Sequence, residues 1–266
     1  MSEQSPGPSP FVAAIAAIAA EAGATAMRHF STARAKAAKQ DGSPVSLADE
    51  EAEAVIIARL KALDPALPII AEESSVGRLA PAPRGRFALV DPVDGTREFL
   101  ARRPEFTVNI AVVEEATPLI GCVYAPALDT LYVGEAGRGA FRTAWVPGQA
   151  RPSEPWRPIH ARRADPERLV ALVSRSDINA ETEAYLQSLK VKERRSIGSS
   201  LKFCLLAEGQ GDYYPRFQRV MEWDIAAGHA VLAAAGGRVA CVDERPIRYG
   251  QAAEGYRAPM FIARGA

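Results

Sequence analysis

Residues 87–100 read FALVDPVDGTREFL. Phe87 to Val90 form an apolar run of the length and composition of a buried strand, yet it leads straight into Asp91 and Asp94. With Pro92 fixing its own φ, both carboxylates can turn toward one pocket with the Val93 carbonyl between them. Two carboxylates about 4 Å apart repel by roughly 4 kcal/mol at an effective dielectric of about 20, so the pair requires a proton or a cation. The donors are all oxygen and no His pair has zinc spacing, which favours a hard ion such as Mg²⁺. Gly95 permits close backbone approach, and Thr96 is placed to cap a helix whose free N–H groups suit a phosphate. Read alone, the stretch fits equally well an Asp-rich turn closed by a capping threonine.

Outward from this stretch, the N-terminal side predicts a helix from Phe11 to about Lys39, with Phe11, Ile15, Ile18 and Ala22 on one face. The segment DGSPVS predicts a loop around Gly42 and Pro44, and LADEEAEAVIIARLKAL a second helix with acidic first turns. IIAEES and RFALVD read as strands that finish on carboxylates. From Phe106 to Arg142, β-branched and aromatic residues recur between Gly, Pro and Asp turns, predicting an antiparallel meander. Residues 147–166 hold five prolines and are taken as the boundary between a metal-binding α+β half, 1–150, and an α/β half, 151–266. In the second half RLVALVSRS, ERRSIG and RVACV read as strands, while NAETEAYLQSL, SSLKFCLLAEGQ and WDIAAGHAVLAAAGG read as helices.

Composition narrows the function. Lys plus Arg equals Asp plus Glu, 32 each, so no global field draws the chain to a nucleic-acid polymer or an anionic membrane, and an anionic ligand must be held locally. Cys122, Cys204 and Cys241 are odd in number and far apart, which suits a reducing compartment and apolar packing. MSEQSPGPSP carries no Lys or Arg before the apolar run, and that run stops at Glu21, about half of what a bilayer span needs. The expectation is a cytoplasmic protein with a loose N-terminal tail.

Two further acidic stretches are weak alone. Glu72 and Glu73 end an apolar run, and Asp224 begins a helix behind a tryptophan; solvated glutamates and a capping aspartate explain both. Together, however, DGSPVSLAD, AEES, DPVDGTREF and EWDIAAG stand in the order and composition of the magnesium-dependent phosphatases of the inositol monophosphatase superfamily, which the chain resembles from about residue 11 to its C-terminus. Within it, SIGSSLKFCLLAEGQGDYYPRF, EFTVNIAVV and GCVYAPALDTLY look like the bacterial 3'(2'),5'-bisphosphate nucleotidase branch.

The resemblance implies a layered αβαβα sandwich of mixed α+β and α/β character. It implies two or three Mg²⁺ ions: one held by Glu72, Asp91 and the Val93 carbonyl, a second by Asp91, Asp94 and Asp224, and a loosely held third near Glu72 and Asp49. Thr96 and Asp49, with Glu72, would orient and deprotonate the attacking water. Asp94, Asp224 and the amides of Gly95 and Thr96 would face the reacting phosphate. Ser199, Lys202 and Arg216 would contact the nucleotide, whose second phosphate needs cations and hydroxyls. Ser46 stands for the usual Thr and keeps the hydroxyl; Val93 stands for Leu or Ile and keeps the carbonyl. Asp177 stands where related sequences often have His, so no contact from that loop is carried over.

The implied reaction is hydrolysis of 3'-phosphoadenosine 5'-phosphate to AMP and phosphate, with action on 3'-phosphoadenylyl sulfate as well, in sulfate assimilation. An inositol monophosphatase or a sugar bisphosphatase keeps the chemistry and changes the substrate. A non-catalytic nucleotide- or metal-binding protein is the reading from another class. The implied partner is a small bisphosphorylated nucleotide, with the protein a monomer or homodimer and at most peripheral on the inner face of the cell membrane.

Overall fold

Helix α1 (Pro10–Phe30) begins where Ser9 caps it, its hydroxyl accepting from Val12 N, with Pro10 at a position that needs no amide donor. The computed structural model describes residues 7–34, 37–38, 44–75 and 85–266. The N-terminal tail and the Asp41–Ser43 part of DGSPVS lie partly or wholly outside the described residues. The helix stops nine residues short of Lys39, because its apolar face ends with Phe30, which packs on the rings of Phe99 and Phe106. Beyond it a two-stranded ribbon, β1 (Ala37–Ala38) and β2 (Pro44–Val45), leads to α2 (Leu47–Leu63). At 21 residues α1 is long and apolar enough to cross a membrane by length and composition, unlike the ten-residue run read from the sequence. Its face bearing Val12, Ile15, Ala19 and Ala22 is taken up by α2 and the neighbouring sheet.

The main sheet has seven strands in sequence order: β3 (Ile69–Ala71), β4 (Phe87–Asp94), β5 (Thr107–Glu114), β6 (Thr117–Ala125), β7 (Thr130–Glu135), β8 (Gly139–Ala144) and β9 (Arg157–Ile159). Only β3–β4 is parallel; the rest is the expected meander. The proline-rich stretch read as a boundary thus carries the sheet's last strand. Between β3 and β4, residues 72–75 turn into a short helix α3 (Glu72–Ser75) where the sequence suggested continued strand, because Glu53 of α2 accepts the amides of Glu73 and Ser74.

The central strands are apolar on both faces because both are covered. Ala88, Val90, Ile110 and Val112 face α1 and α2, whereas Phe87, Leu89, Ala111 and Val113 face the opposite way. On that second face lie α6 (Leu201–Ala207) and α7 (Glu222–Ala234). Helix α7 presses so closely that a Cβ at Gly121 would stand 2.1 Å from the Ala227 carbonyl oxygen.

Beyond these helices is a five-stranded mixed sheet built from β10 (Val170–Ser174), β11 (Glu193–Ile197), β12 (Tyr213–Arg216), β13 (Arg238–Cys241) and β14 (Phe261–Arg264), in the order β11-β10-β12-β14-β13. Helix α5 (Ala180–Ser188) covers its far side, where Leu186 meets Ala171 and Val173. The layers therefore run helix, sheet, helix, sheet, helix, the expected αβαβα sandwich. The strands β12 and β14 are additions to the sequence reading; they pair antiparallel, with Pro215 opposite Ile262. The three cysteines are free and buried in these cores.

Candidate active site

Residues i and i+3 of a regular strand point to opposite faces, so Asp91 and Asp94 should not meet. A bulge resolves this: Asp91 pairs with Asn109 and Asp94 with Thr107, so three steps on β4 match two on β5 and one residue is extra. Both carboxylates then lie on the face of Thr107 and Asn109. Asp91 Oδ1 accepts from Val93 N at 3.0 Å, and Asp94 Oδ2 accepts from Asn109 Nδ2 at 3.3 Å.

Two other elements bring the remaining acids. Glu72 opens α3, whose amides are anchored by the buried Glu53. Asp224, in the first turn of α7, accepts from Met221 N at 2.8 Å, which fixes its direction at the helix start. Burial, then the charges of Glu72, Asp94 and Asp224, push the Asp91 carboxyl well above the usual carboxylate range. Burial followed by Asp94 and Glu72 does the same to Asp224. Asp94 is also raised by burial, though Lys202 and the Ser200 amide pull against it.

The short helix α4 (Thr96–Leu100) starts after Gly95, which occupies φ 87°, a left-handed conformation that glycine adopts without strain. Gly95 is thus the cap residue and Thr96 the first helical residue, where the sequence suggested Thr96 as the cap. The Thr96 hydroxyl lies 3.1 Å from the Val93 carbonyl oxygen and 3.3 Å from Asp49 Oδ1. Asp49 is 1% exposed, with Oδ2 accepting from the Ser46 amide and hydroxyl at 2.8 and 2.5 Å. It therefore does not line the cleft itself and communicates with it through Thr96.

Across the cleft, the loop from Gly198 to Ser200 is docked on the first half. Glu105 Oε2 accepts from Gly198 N, and Asp94 Oδ2 from Ser200 N at 2.5 Å. Ser200 Oγ donates to Asn109 Oδ1 at 2.7 Å, with Thr107 Oγ1 at 3.0 Å. Lys202 is buried; its ammonium donates to the carbonyls of Ile197 and Ser199 and sits 4.9 Å above the Tyr214 ring. Burial lowers its pKa to about 8 despite Asp94. Arg216 is 8% exposed, and its Nη1 donates to the Asp177 carbonyl oxygen at 3.0 Å.

One cleft of ≈ 420 Å³ gathers these groups, lined by Glu72, Asp91, Val93, Asp94, Gly95 and Thr96 at one side and by Ser199, Lys202 and Arg216 at the other. Asp224 and Glu98 also line it. Among the described residues no group of three or more His, Cys, Asp or Glu is closed to metal-ligating spacing. The donor chemistry nonetheless fits a hard divalent ion: acidic oxygens and a peptide carbonyl converge, and carboxyls whose pKa is raised by desolvation and then by mutual repulsion are relieved by a cation between them.

Several residues in or supporting the cleft were not read from the sequence. Glu98, buried and accepting from Ser176 Oγ at 2.7 Å, and the pair Thr107 and Asn109 left a signal, since polar residues inside otherwise apolar segments need partners. Glu53, Arg219 and Arg257 left none, because their roles depend on elements distant in sequence.

The model of the inositol monophosphatase family matches residues 8–260. The 3'(2'),5'-bisphosphate nucleotidase CysQ of Escherichia coli K12 is 44% identical over 211 residues, 79% of this chain and 81% of that protein. The crystal structure of CysQ from Bacteroides thetaiotaomicron has a TM-score of 0.78 at 35% identity and covers 96% of both chains. Inositol monophosphatase from Anabaena (Nostoc) sp. PCC 7120 has a TM-score of 0.72 at 25% identity, covering 96% of this chain and 90% of that one. Because the family model matches nearly the whole chain, the chain belongs to the inositol monophosphatase family, whose members are metal-dependent phosphatases with Mg²⁺ typical.

Proposed function

We propose that this chain is a Mg²⁺-dependent 3'(2'),5'-bisphosphate nucleotidase that hydrolyses 3'-phosphoadenosine 5'-phosphate to AMP and phosphate, serving sulfate assimilation, and that it also acts on 3'-phosphoadenylyl sulfate. The observation that carries the reading is the two-sided cleft: carboxylates at one side, and the cations Lys202 and Arg216 at the other, with Arg219 and Arg257 also in its lining. A substrate with two phosphates matches it; an inositol monophosphate leaves the cationic side unused. The names of the E. coli and Bacteroides relatives support the same choice.

On this reading Glu72, Asp91 and the Val93 carbonyl hold one ion, Asp91, Asp94 and Asp224 hold another, and Glu72 with Asp49 stands near a third. Bound there, Mg²⁺ supplies neutralisation of phosphate charge and lowers the pKa of the attacking water. Thr96 has one hydroxyl proton. Donated to Asp49, it leaves the oxygen lone pairs free to accept from water and orient it toward phosphorus. Asp49 and Glu72 provide the basic end of this chain, and the Gly95 and Thr96 amides face the phosphate oxygens. Ser199, Lys202 and Arg216 receive the nucleotide. Lys202 contributes with the donor left after Ile197 and Ser199. The buried thiols and the covered face of α1 support a cytoplasmic enzyme.

Phosphate release from 3'-phosphoadenosine 5'-phosphate and from inositol 1-phosphate, measured on one preparation, tests the reading. It expects the nucleotide to be favoured; a preference above roughly tenfold for inositol phosphate overturns it.

A further inference from the structure

We propose that Asp177 is an internal counterion that competes with the substrate's non-reacting phosphate for Arg97 and Arg216, and so promotes release of the product nucleotide. The proposal rests on the function above and deepens it.

Asp177 follows β10 and lines the cleft. Its Oδ1 accepts from Arg97 Nη1 at 3.2 Å and its Oδ2 from Arg216 Nη2 at 3.4 Å. Arg97 belongs to α4, next to Gly95 and Thr96, and Arg216 ends β12, so one carboxylate neutralises cations from both sides of the cleft. The other cations nearby are engaged differently: Lys202 by two carbonyls, and Arg219 by Glu254 and the carbonyls of Arg257 and Ala258.

The bonds to Arg216 divide into a holding part and a replaceable part. The guanidinium is held by the main-chain carbonyl of Asp177 at 3.0 Å, a contact that any residue at this position would make. The carboxylate contact to Nη2 is longer, at 3.4 Å, and its side chain is 34% exposed. Meanwhile the buried Arg216 Nε has no hydrogen-bond partner. Nε and Nη2 form the edge of a guanidinium that takes two oxygens of one anion, and here one donor is empty and the other weakly used. A phosphate dianion satisfies both and displaces the singly charged carboxylate. After hydrolysis the product keeps this phosphate but has lost the one held opposite, so the returning carboxylate competes against a weaker ligand. Exchange of ion-pair partners is the whole event, and no bond is made or broken.

The test uses full-length enzyme with Mg²⁺, comparing wild type with Asp177→Asn and Asp177→Ala. KM is measured for 3'-phosphoadenosine 5'-phosphate and for 3'-AMP, which lacks the second phosphate, together with inhibition by AMP. The ratio of the 3'-AMP KM to the bisphosphate KM should rise about fivefold or more in both variants, and AMP should inhibit at concentrations lower by a similar factor. An unchanged or reduced ratio, or AMP inhibition that stays equal or weakens, overturns the proposal; a reduced ratio would assign the carboxylate to positioning Arg216. The near-isosteric Asn variant decides if the Ala variant does not fold. A wild-type preference for inositol phosphate would instead overturn the functional reading, and it is read before any variant is compared.

Discussion

The Ser200 amide donates to Asp94 Oδ2 at 2.5 Å, so a carboxylate of the seven-stranded sheet is held by the loop that enters α6. The same loop bears Ser199 and, through its carbonyls, orients Lys202. The reacting side of the cleft and the side facing the rest of the substrate are therefore connected by a direct hydrogen bond.

This junction predicts the behaviour of Ser200→Ala. The amide bond to Asp94 survives, but Asn109 Oδ1 loses its buried donor. A cost of about 1–3 kcal/mol is expected in denaturant unfolding, with the KM for nucleotide rising more than kcat falls.

Removing charge from the acidic side should separate stability from activity. Asp91 is pushed well above its ordinary range by burial and by Glu72, Asp94 and Asp224, so without metal its charged form destabilises the fold at neutral pH. Asp91→Asn should raise the melting temperature in chelator and abolish the stabilisation that Mg²⁺ gives the wild type. Thermal unfolding with EDTA and with Mg²⁺ reads both effects.

Glu53 accepts from the amides of Glu73 and Ser74, which set the start of α3 and so the position of Glu72. Glu53→Gln should weaken Mg²⁺ binding by about 10- to 100-fold, read as the Mg²⁺ concentration for half-maximal activity, with kcat at saturating metal much less affected.

His229 predicts an acid sensitivity away from the cleft. It is half-buried, with Nδ1 2.8 Å from the Tyr249 hydroxyl, and desolvation lowers its pKa to about 4 from the ordinary 6.5. Between these values the unfolded chain takes up a proton that the folded chain refuses, so stability falls as pH drops from about 6.5 to about 4, by roughly 3 kcal/mol. Denaturant unfolding of wild type and His229→Gln across this range should show the wild type losing more stability.

What the sequence disclosed depended on how local the cause was. Asp91, Asp94 and Gly95 sit within five residues, and their chemistry could be read from the order of donors. The bulge that puts both aspartates on one face could not, since it exists only relative to Asn109 and Thr107 on β5. Helix α1 ends at Phe30 because of rings at Phe99 and Phe106, although the alanines that follow have ample helix propensity. β12 is four residues long and exists as a strand only through its pairing with β14, far along the chain.

The central claim, that these carboxylates form a metal-dependent phosphatase site for a bisphosphorylated nucleotide, is tested most directly by phosphate release from 3'-phosphoadenosine 5'-phosphate by wild type and Asp94→Asn at saturating Mg²⁺. The account predicts that the wild-type rate disappears on chelation and returns with Mg²⁺, while the variant is slower by about 100-fold or more. Wild-type phosphate release by Asp94→Asn would contradict it.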